Sequence, residues 1–226
     1  MHPEHRFDPQ DGLDVFRRLN RYMNELFGSQ DEVLTNILRS IEVHGLPPIS
    51  VSPATGKLLT MLVAISGAKR VLEIGALGGY SGVCLARGMG PEGTLTSLEL
   101  VEDYARLAQH HLEKAGFGSQ VTYIIGPALE SLKTLVMNRQ HFDFFFIDAD
   151  KDNYVNYLDY CIQLAEPGAI IVADNTLAGS GIGSPRALER RGEIMKQFNE
   201  TVALHPQLDA MFIPIGDGVT VARVKE

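Results

Sequence analysis

The sequence predicts an α/β fold built on a parallel, doubly wound sheet, and three observations carry that prediction. Short apolar runs alternate repeatedly with helix-length amphipathic segments, the pattern of consecutive β-α units. A glycine-rich loop follows the first such run, and acidic residues close the fourth and fifth. Open α/β sheets bind ligands at those C-terminal strand ends. With 226 residues, 45% hydrophobic and 21% charged, the chain is long enough for one large domain with a full core. A single domain is expected, with residues 1–50 as a helical cap and 51–226 as the sheet-based core.

Leu13, Phe16, Leu19, Met23 and Phe27 recur at helical spacing, as do Leu34, Ile37, Leu38 and Ile41. Two amphipathic helices therefore precede the first strand, placed to cap a site or bury a dimer face. Gly45-Leu46-Pro47-Pro48 forms a rigid link to Ser52-Pro53, which pairs a helix N-cap with the residue best suited to a first helical turn; Gly67 ends that helix. Strands are predicted over 70–74, 94–98, 121–125, 142–147 and 169–173. Helices follow them from about Tyr80, to about Ala115, to about Asn138, to Ala165, and from about Arg186 to Val202. Residues 209–215 and 219–224 read as two strands joined by a tight turn at Gly216-Asp217-Gly218, so the last two strands should be antiparallel to each other.

Charge and targeting signals narrow the function classes. Twenty basic against 28 acidic residues give a net charge of −8, and no basic cluster appears, so a nucleic-acid partner is not expected. No apolar run approaches the ~20 residues of a membrane span, and no basic head precedes an apolar core at the N-terminus. A cytoplasmic protein without a membrane partner is expected. Cys84 and Cys161 lie inside apolar helical patterns and read as core thiols of a reduced compartment. Asn199-Glu200-Thr201 fits a glycosylation acceptor only by chance in such a protein.

The strand ends carry the chemistry. Asp148-Ala149-Asp150-Lys151 closes the run 142–147, which is apolar except for Asp143, and Asp174-Asn175 closes 169–173. Asp148, Asp174 and Asn175 thus place three oxygen donors at one sheet edge, an arrangement that suits a hard divalent cation. Glu73-Ile74-Gly75-Ala76-Leu77-Gly78-Gly79-Tyr80-Ser81 leaves the first strand and opens a helix. Its glycines fit a nucleotide loop, or simply a sharp strand-to-helix turn, and they lack the spacing of the dinucleotide fingerprint. Glu99 ends the second strand where a carboxylate can accept both ribose hydroxyls. Together with Glu73-Ile74-Gly75 it fits an adenosine ligand that carries no pyrophosphate.

With these residues in view, the chain resembles the class I S-adenosylmethionine-dependent, cation-dependent O-methyltransferases of the catechol and caffeoyl-coenzyme A type. The resemblance runs from about Val51 to Arg223. It rests on Leu72 to Gly75, Gly79-Tyr80-Ser81, Gly126-Pro127-Ala128-Leu129, Ile147 to Tyr154, Asp174 to Leu177, and Pro214 to Gly218. It implies a Rossmann-like, seven-stranded sheet with a reversed last strand, and a homodimer. By matched position, it implies that Gly75, Ala76, Ser81, Glu99, Ala128 and Asp150 contact S-adenosylmethionine, with Glu73 and the Val51 backbone lining the same pocket. Asp148, Asp174 and Asn175 match the metal ligands, for Mg2+ first and Mn2+ or Ca2+ next. Lys151 matches the catalytic lysine, and Asp148 beside it completes the catalytic pair.

The implied reaction explains why these residue types are needed. Methyl transfer to oxygen is an in-line displacement, and a neutral phenol is a poor nucleophile for it. A cation with open positions chelates a vicinal diol and eases loss of a proton. An isolated lysine is protonated at neutral pH, but a neighbouring cation and partial burial disfavour its charge, so Lys151 is expected to accept the phenolic proton rather than merely pair with Asp148 or Asp150. His110 and His111 read as a solvated helix face, His44 as a surface histidine, and Phe142, Phe144, Phe145 and Phe146 as core. The chain departs from the family at Ala178, where a tryptophan is typical, and Gly179 to Pro185 follows; the whole chain has no tryptophan. A wide acceptor pocket is expected. The competing classes are an NAD-dependent oxidoreductase, which the loop spacing disfavours, and a non-catalytic adenosine-binding protein, which the complete metal set and Lys151 disfavour.

Overall fold

The computed structural model describes residues 9–177 and 185–226, with side chains in the first and last helices from Asp14 and Glu189 onward. Helices α1 (Pro9–Leu26), α2 (Glu32–Val43) and α3 (Pro53–Ser66) precede the sheet. Ser52 caps α3 by accepting the Thr55 amide at 3.1 Å, Pro53 begins the helix, and Gly67 closes it in the left-handed conformation. Asp31 caps α2 in the same way through the Leu34 amide.

The sheet comprises β1 (Arg70–Ile74), β2 (Thr94–Glu99), β3 (Val121–Ile125), β4 (Phe142–Ile147), β5 (Ala165–Ala173), β6 (Leu208–Ile213) and β7 (Val219–Val224). Helices α4 (Tyr80–Met89), α5 (Glu102–Lys114), α6 (Ala128–Met137) and α7 (Tyr154–Leu164) connect the first five strands, and α8 (Pro185–Leu204) leads to β6. The strand order is β3-β2-β1-β4-β5-β7-β6. Strands β1 to β5 run parallel, while β7 is antiparallel to both β5 and β6. The order reverses between β1 and β4, which opens a crevice at their C-terminal ends.

Two apolar layers cover the faces. Phe144 and Phe146 join Leu59, Val83 and Leu85 on one side; Phe145 and Ile147 join Leu132, Leu158 and Phe198 on the other. All four phenylalanines of β4 are buried, as a strand covered on both faces requires. Asp143, the polar residue of that run, falls at a register shift and accepts the Lys69 and Arg70 amides at 3.0 Å each. The fifth strand begins at Ala165, ahead of the predicted 169–173, because Ala165 pairs with Phe142 across that same irregularity. The sixth ends at Ile213 rather than 215, since Pro214 has no N–H to continue the ladder.

Helix α1 is tied to the core by polar side chains. Asn24 accepts the Ala54 amide at 3.0 Å, and Asn20 accepts the Gly216 amide at 2.8 Å, fixing α1 to the start of α3 and to the β6–β7 turn. Its Leu19, Tyr22 and Leu26 remain exposed.

Glu73, in the middle of this core, has no exposed surface; its two oxygens accept the Ser81 and Ser97 hydroxyls at 2.6 Å each. Burial pushes its carboxyl up to about 7, against the opposing pull of the two serines. The folded protein therefore holds this proton after the unfolded chain has released it, and stability contributed below about pH 4.5 is lost as pH rises to about 7. Glu73→Gln removes the titration while keeping the shape. Thermal unfolding followed from pH 5 to 8 should show the parent losing stability relative to Glu73→Gln, by about 1.4 kcal/mol per pH unit inside that window. Parallel pH curves for the two proteins would show that the carboxyl is ionised throughout.

Candidate active site

A cavity of about 990 Å³ lies at the crevice, lined from β1, β2, β4 and β5 and from the β6–β7 turn. That volume is at the upper end for small-molecule sites and gives room for two reactants. Val51, Gly75, Ala76, Ser81, Glu99, Ala128 and Asp150 line it, as do Asp148, Lys151, Asp174 and Asn175.

The first wall is the loop after β1. Gly75 has φ +99°, and a Cβ there would stand 2.1 Å from the Asp148 carbonyl oxygen, so the loop can pass the end of β4 only as glycine. Glu99, 8% exposed, anchors this loop: one carboxylate oxygen accepts the Ala76 and Leu77 amides at 3.1 and 2.9 Å, and the other accepts the Val101 amide at 2.9 Å. From α5, His111 holds the loop's far side, its Nδ1 lying 2.7 Å from the Gly78 carbonyl oxygen. A carbonyl accepts, so Nδ1 carries the proton. His110 is exposed as expected, but the solvated face expected for His111 is corrected: it is buried, and burial lowers its basicity. Glu73 needs a second correction, since it is sealed beneath the loop rather than on the cavity wall and reaches the cavity only through Ser81.

The second wall is formed by the ends of β4 and β5. The ladder continues one residue past each strand, with the Asp148 amide donating to Ile74 at 2.9 Å and the Asp174 amide to Ile147 at 3.0 Å. These bonds set Asp148 and Asp174 side by side. Asn175 then turns with φ +57°, a conformation asparagine tolerates, and the Thr176 and Leu177 amides donate to Gly218 and Asp217 at 2.9 Å each. The terminal hairpin thereby fixes the exit from β5.

Asp174 is 3% exposed. Its Oδ2 accepts the Asn175 side-chain amide at 3.3 Å, whereas Oδ1 has no hydrogen-bond partner. Burial first and the charge of Asp148 second raise this carboxyl above the ordinary carboxylate range. No group of three or more His, Cys, Asp or Glu is placed to hold a metal ion among the described residues, so a cation here would rest on two carboxylates and one amide oxygen. An orphaned buried oxygen beside a second carboxylate fits that donor set.

Lys151 and Asp150 follow Asp148 into a short 3₁₀ turn. Lys151 Nζ stands 3.2 Å from Asp148 Oδ1 and donates to the Tyr154 hydroxyl. Asp150 accepts the Tyr157 hydroxyl on one oxygen and the Asn153 amide at 2.6 Å on the other, which orients its carboxylate at the cavity rim. The start of α8 approaches the same turn through an Arg190–Asp152 pair at 3.0 Å, and Arg191 lines the cavity. Tyr154 and Tyr157 lie at helical spacing just after the acidic motif, a signal the sequence did contain; Arg191 carries no local one. Ala178 and residues 179–184 lie outside the described residues.

Comparison with known proteins agrees with this geometry. Residues 24–225 match the O-methyltransferase family model. The chain is 35% identical over 217 residues to a catechol O-methyltransferase of Niastella koreensis, covering 93% of this chain and 98% of that one. It is 37% identical over 222 residues to a catechol O-methyltransferase of Mycobacterium tuberculosis, covering 92% and 95%. Its structure superposes on the O-methyltransferase from Bacillus cereus in complex with S-adenosylhomocysteine with a TM-score of 0.81, at 32% identity and 94% and 100% coverage. The chain belongs to the O-methyltransferase family, within the class I S-adenosylmethionine-dependent enzymes.

Glu99 offers a direct test of the first wall. Glu99→Ala should weaken S-adenosylhomocysteine binding by about 1.5–3 kcal/mol, the range for hydrogen bonds to a charged group. Unchanged affinity by titration calorimetry would place the ligand elsewhere.

Proposed function

We propose that this protein transfers the methyl group of S-adenosylmethionine to one hydroxyl of a vicinal diol of catechol, caffeoyl or flavonoid type, with a divalent cation held by Asp148, Asp174 and Asn175. The observation that carries the reading is the buried, unpartnered Oδ1 of Asp174, a residue that lines the same cavity as Asp148, Lys151 and the glycine loop. Similarity to proteins named catechol O-methyltransferase supports the acceptor class.

S-adenosylmethionine supplies an activated methyl on a positively charged sulfur. The hard oxygen donors favour Mg2+, with Mn2+ or Ca2+ as alternatives, and such a cation supplies acidification of a chelated diol. The chain's own residues do the rest. Gly75 and Ala76 give backbone approach, Glu99 accepts a ribose hydroxyl on Oε1, its oxygen with a free acceptor position, and Val51, Ser81, Ala128 and Asp150 complete the cofactor wall. Lys151 Nζ takes the proton of the hydroxyl to be methylated, with Asp148 beside it. Ala178, in place of the family's tryptophan, supports a broad range of diol acceptors.

A homodimer is supported by the exposed apolar side chains of α1 and by Met211 on the edge strand β6, 71% exposed. A reducing, cytoplasmic setting accords with Cys84 and Cys161, both buried and free. The single-domain reading is supported by α1 bonding to both α3 and the β6–β7 turn.

Methyl transfer to a catechol panel, assayed with and without chelation, tests the proposal. Chelation should abolish turnover, and added Mg2+ should restore it. Asp174→Ala should lose more than the roughly 10–100-fold that removal of a supporting residue costs. Caffeate-like acids, their esters and catechol flavonoids should all react, and monophenols should not. Full activity after exhaustive chelation, or ready methylation of a monophenol, would defeat it.

A further inference from the structure

Leu77 lies in the loop between β1 and α4 with φ +46°, in the left-handed region that glycine adopts freely and a leucine side chain resists. The other loop residues with positive φ, Gly75 and Gly79, are both glycine. Such a conformation persists only where the surroundings hold it. Two bonds do so here. The Leu77 N–H donates to Glu99 Oε2 at 2.9 Å, and the carbonyl of the next residue, Gly78, accepts from His111 Nδ1 at 2.7 Å. The peptide groups on either side of the Leu77-Gly78 pair are thus pinned, one from β2 and one from α5.

His111 is well placed for its half of this clamp. It is 6% exposed and follows Ala108 by one helical turn. A Cβ at Gly79 would stand 3.0 Å from the Ala108 Cα, so α5 packs directly on the loop. Nδ1 donates whether the ring is neutral in this tautomer or protonated, so the contact does not depend on the charge of the ring. Ala76, Leu77 and Glu99 line the cavity, and His111 does not.

We propose that His111 is a positioning residue for the cofactor: from outside the cavity it holds Leu77 in the left-handed conformation, which keeps the Ala76 and Leu77 amides on Glu99 and that carboxylate fixed for the ribose. This rests on the reading of the glycine loop and Glu99 as the cofactor wall. Without the imidazole N–H, the buried Gly78 carbonyl loses this donor and Leu77 is free to relax. Only the fraction of molecules that keeps the loop in place then binds, so affinity falls although no contact with the ligand has been removed.

Titration calorimetry of the full-length protein with S-adenosylhomocysteine tests this. His111→Leu should raise the Kd roughly tenfold, because a buried carbonyl left without its donor costs more than the bond contributed. His111→Asn should stay within about twofold of the parent, since the asparagine Nδ2 is as many bonds from the backbone as Nδ1 and can donate from nearly the same point. In the His111→Leu background, Leu77→Asn should recover much of the loss, because asparagine tolerates the left-handed region and needs no clamp. His111→Ala supplies the same comparisons if the leucine variant does not fold. The inference is overturned by parent affinity in the variant without a donor, by an asparagine at 111 that binds as weakly as leucine, or by no recovery from Leu77→Asn. If the parent itself binds no S-adenosylhomocysteine, the cofactor reading fails, a different result.

Discussion

Two carboxylates held next to each other in a largely buried place are the constraint on which the rest of the site depends. The β4–β5 register pairs Ile147 with Ala173, so the next residue of each strand is an aspartate. Backbone bonds from Asp148 to Ile74 and from Asp174 to Ile147 prevent either from withdrawing. Burying an ionised carboxylate without a partner is costly, and placing a second beside it adds repulsion. Lys151 offsets part of this at Asp148, but the Oδ1 of Asp174 is left without a donor. A fold keeps such a defect where function requires it. A cation is the group that would relieve both the repulsion and the orphaned oxygen.

The remaining architecture serves to keep that pair fixed and to bring a second ligand beside it. Reversal of strand order at β1 and β4 sets the glycine loop against the Asp148 backbone, close enough that Gly75 tolerates no Cβ. Glu99 and His111 both grip the loop at consecutive residues, one through the Ala76 and Leu77 amides and one through the Gly78 carbonyl. Beneath it, Glu73 joins Ser81 on α4 to Ser97 on β2, so the loop rests on a polar bridge inside an apolar layer. On the far side the β6–β7 turn holds the chain after Asn175 and is itself held by Asn20 of α1. A cofactor and an acceptor can thus share one rigid cavity.

Much of this was legible in the sequence because it is written in local chemistry. Ser52-Pro53 and Gly67 mark helix ends wherever they occur, and acidic residues at the close of apolar runs can only fall at strand ends. The terminal hairpin was visible in its two runs and the glycines between them. What escaped depends on which way a side chain faces in three dimensions. His110 and His111 are neighbours in one helix, yet the rotation of about 100° between them buries the second against Gly78. Glu73 lies one residue inside the end of its strand, opposite Ser97 and on the same face as Glu99 but two positions deeper, so it is covered and braces the loop instead of lining the cavity. The early start of β5 follows from an irregularity opposite Asp143 that no period in the sequence announces.

The claim that Asp148, Asp174 and Asn175 form a cation site is tested most directly by binding, independent of turnover. Titration of the protein with Mn2+, followed by electron paramagnetic resonance of the free ion, should give one site per chain, displaced by Mg2+ and lost in Asp174→Asn. That substitution keeps the shape of the side chain and removes the charge the cation requires. Undiminished Mn2+ binding by Asp174→Asn, or methyl transfer by a protein that binds no divalent cation, would contradict the account.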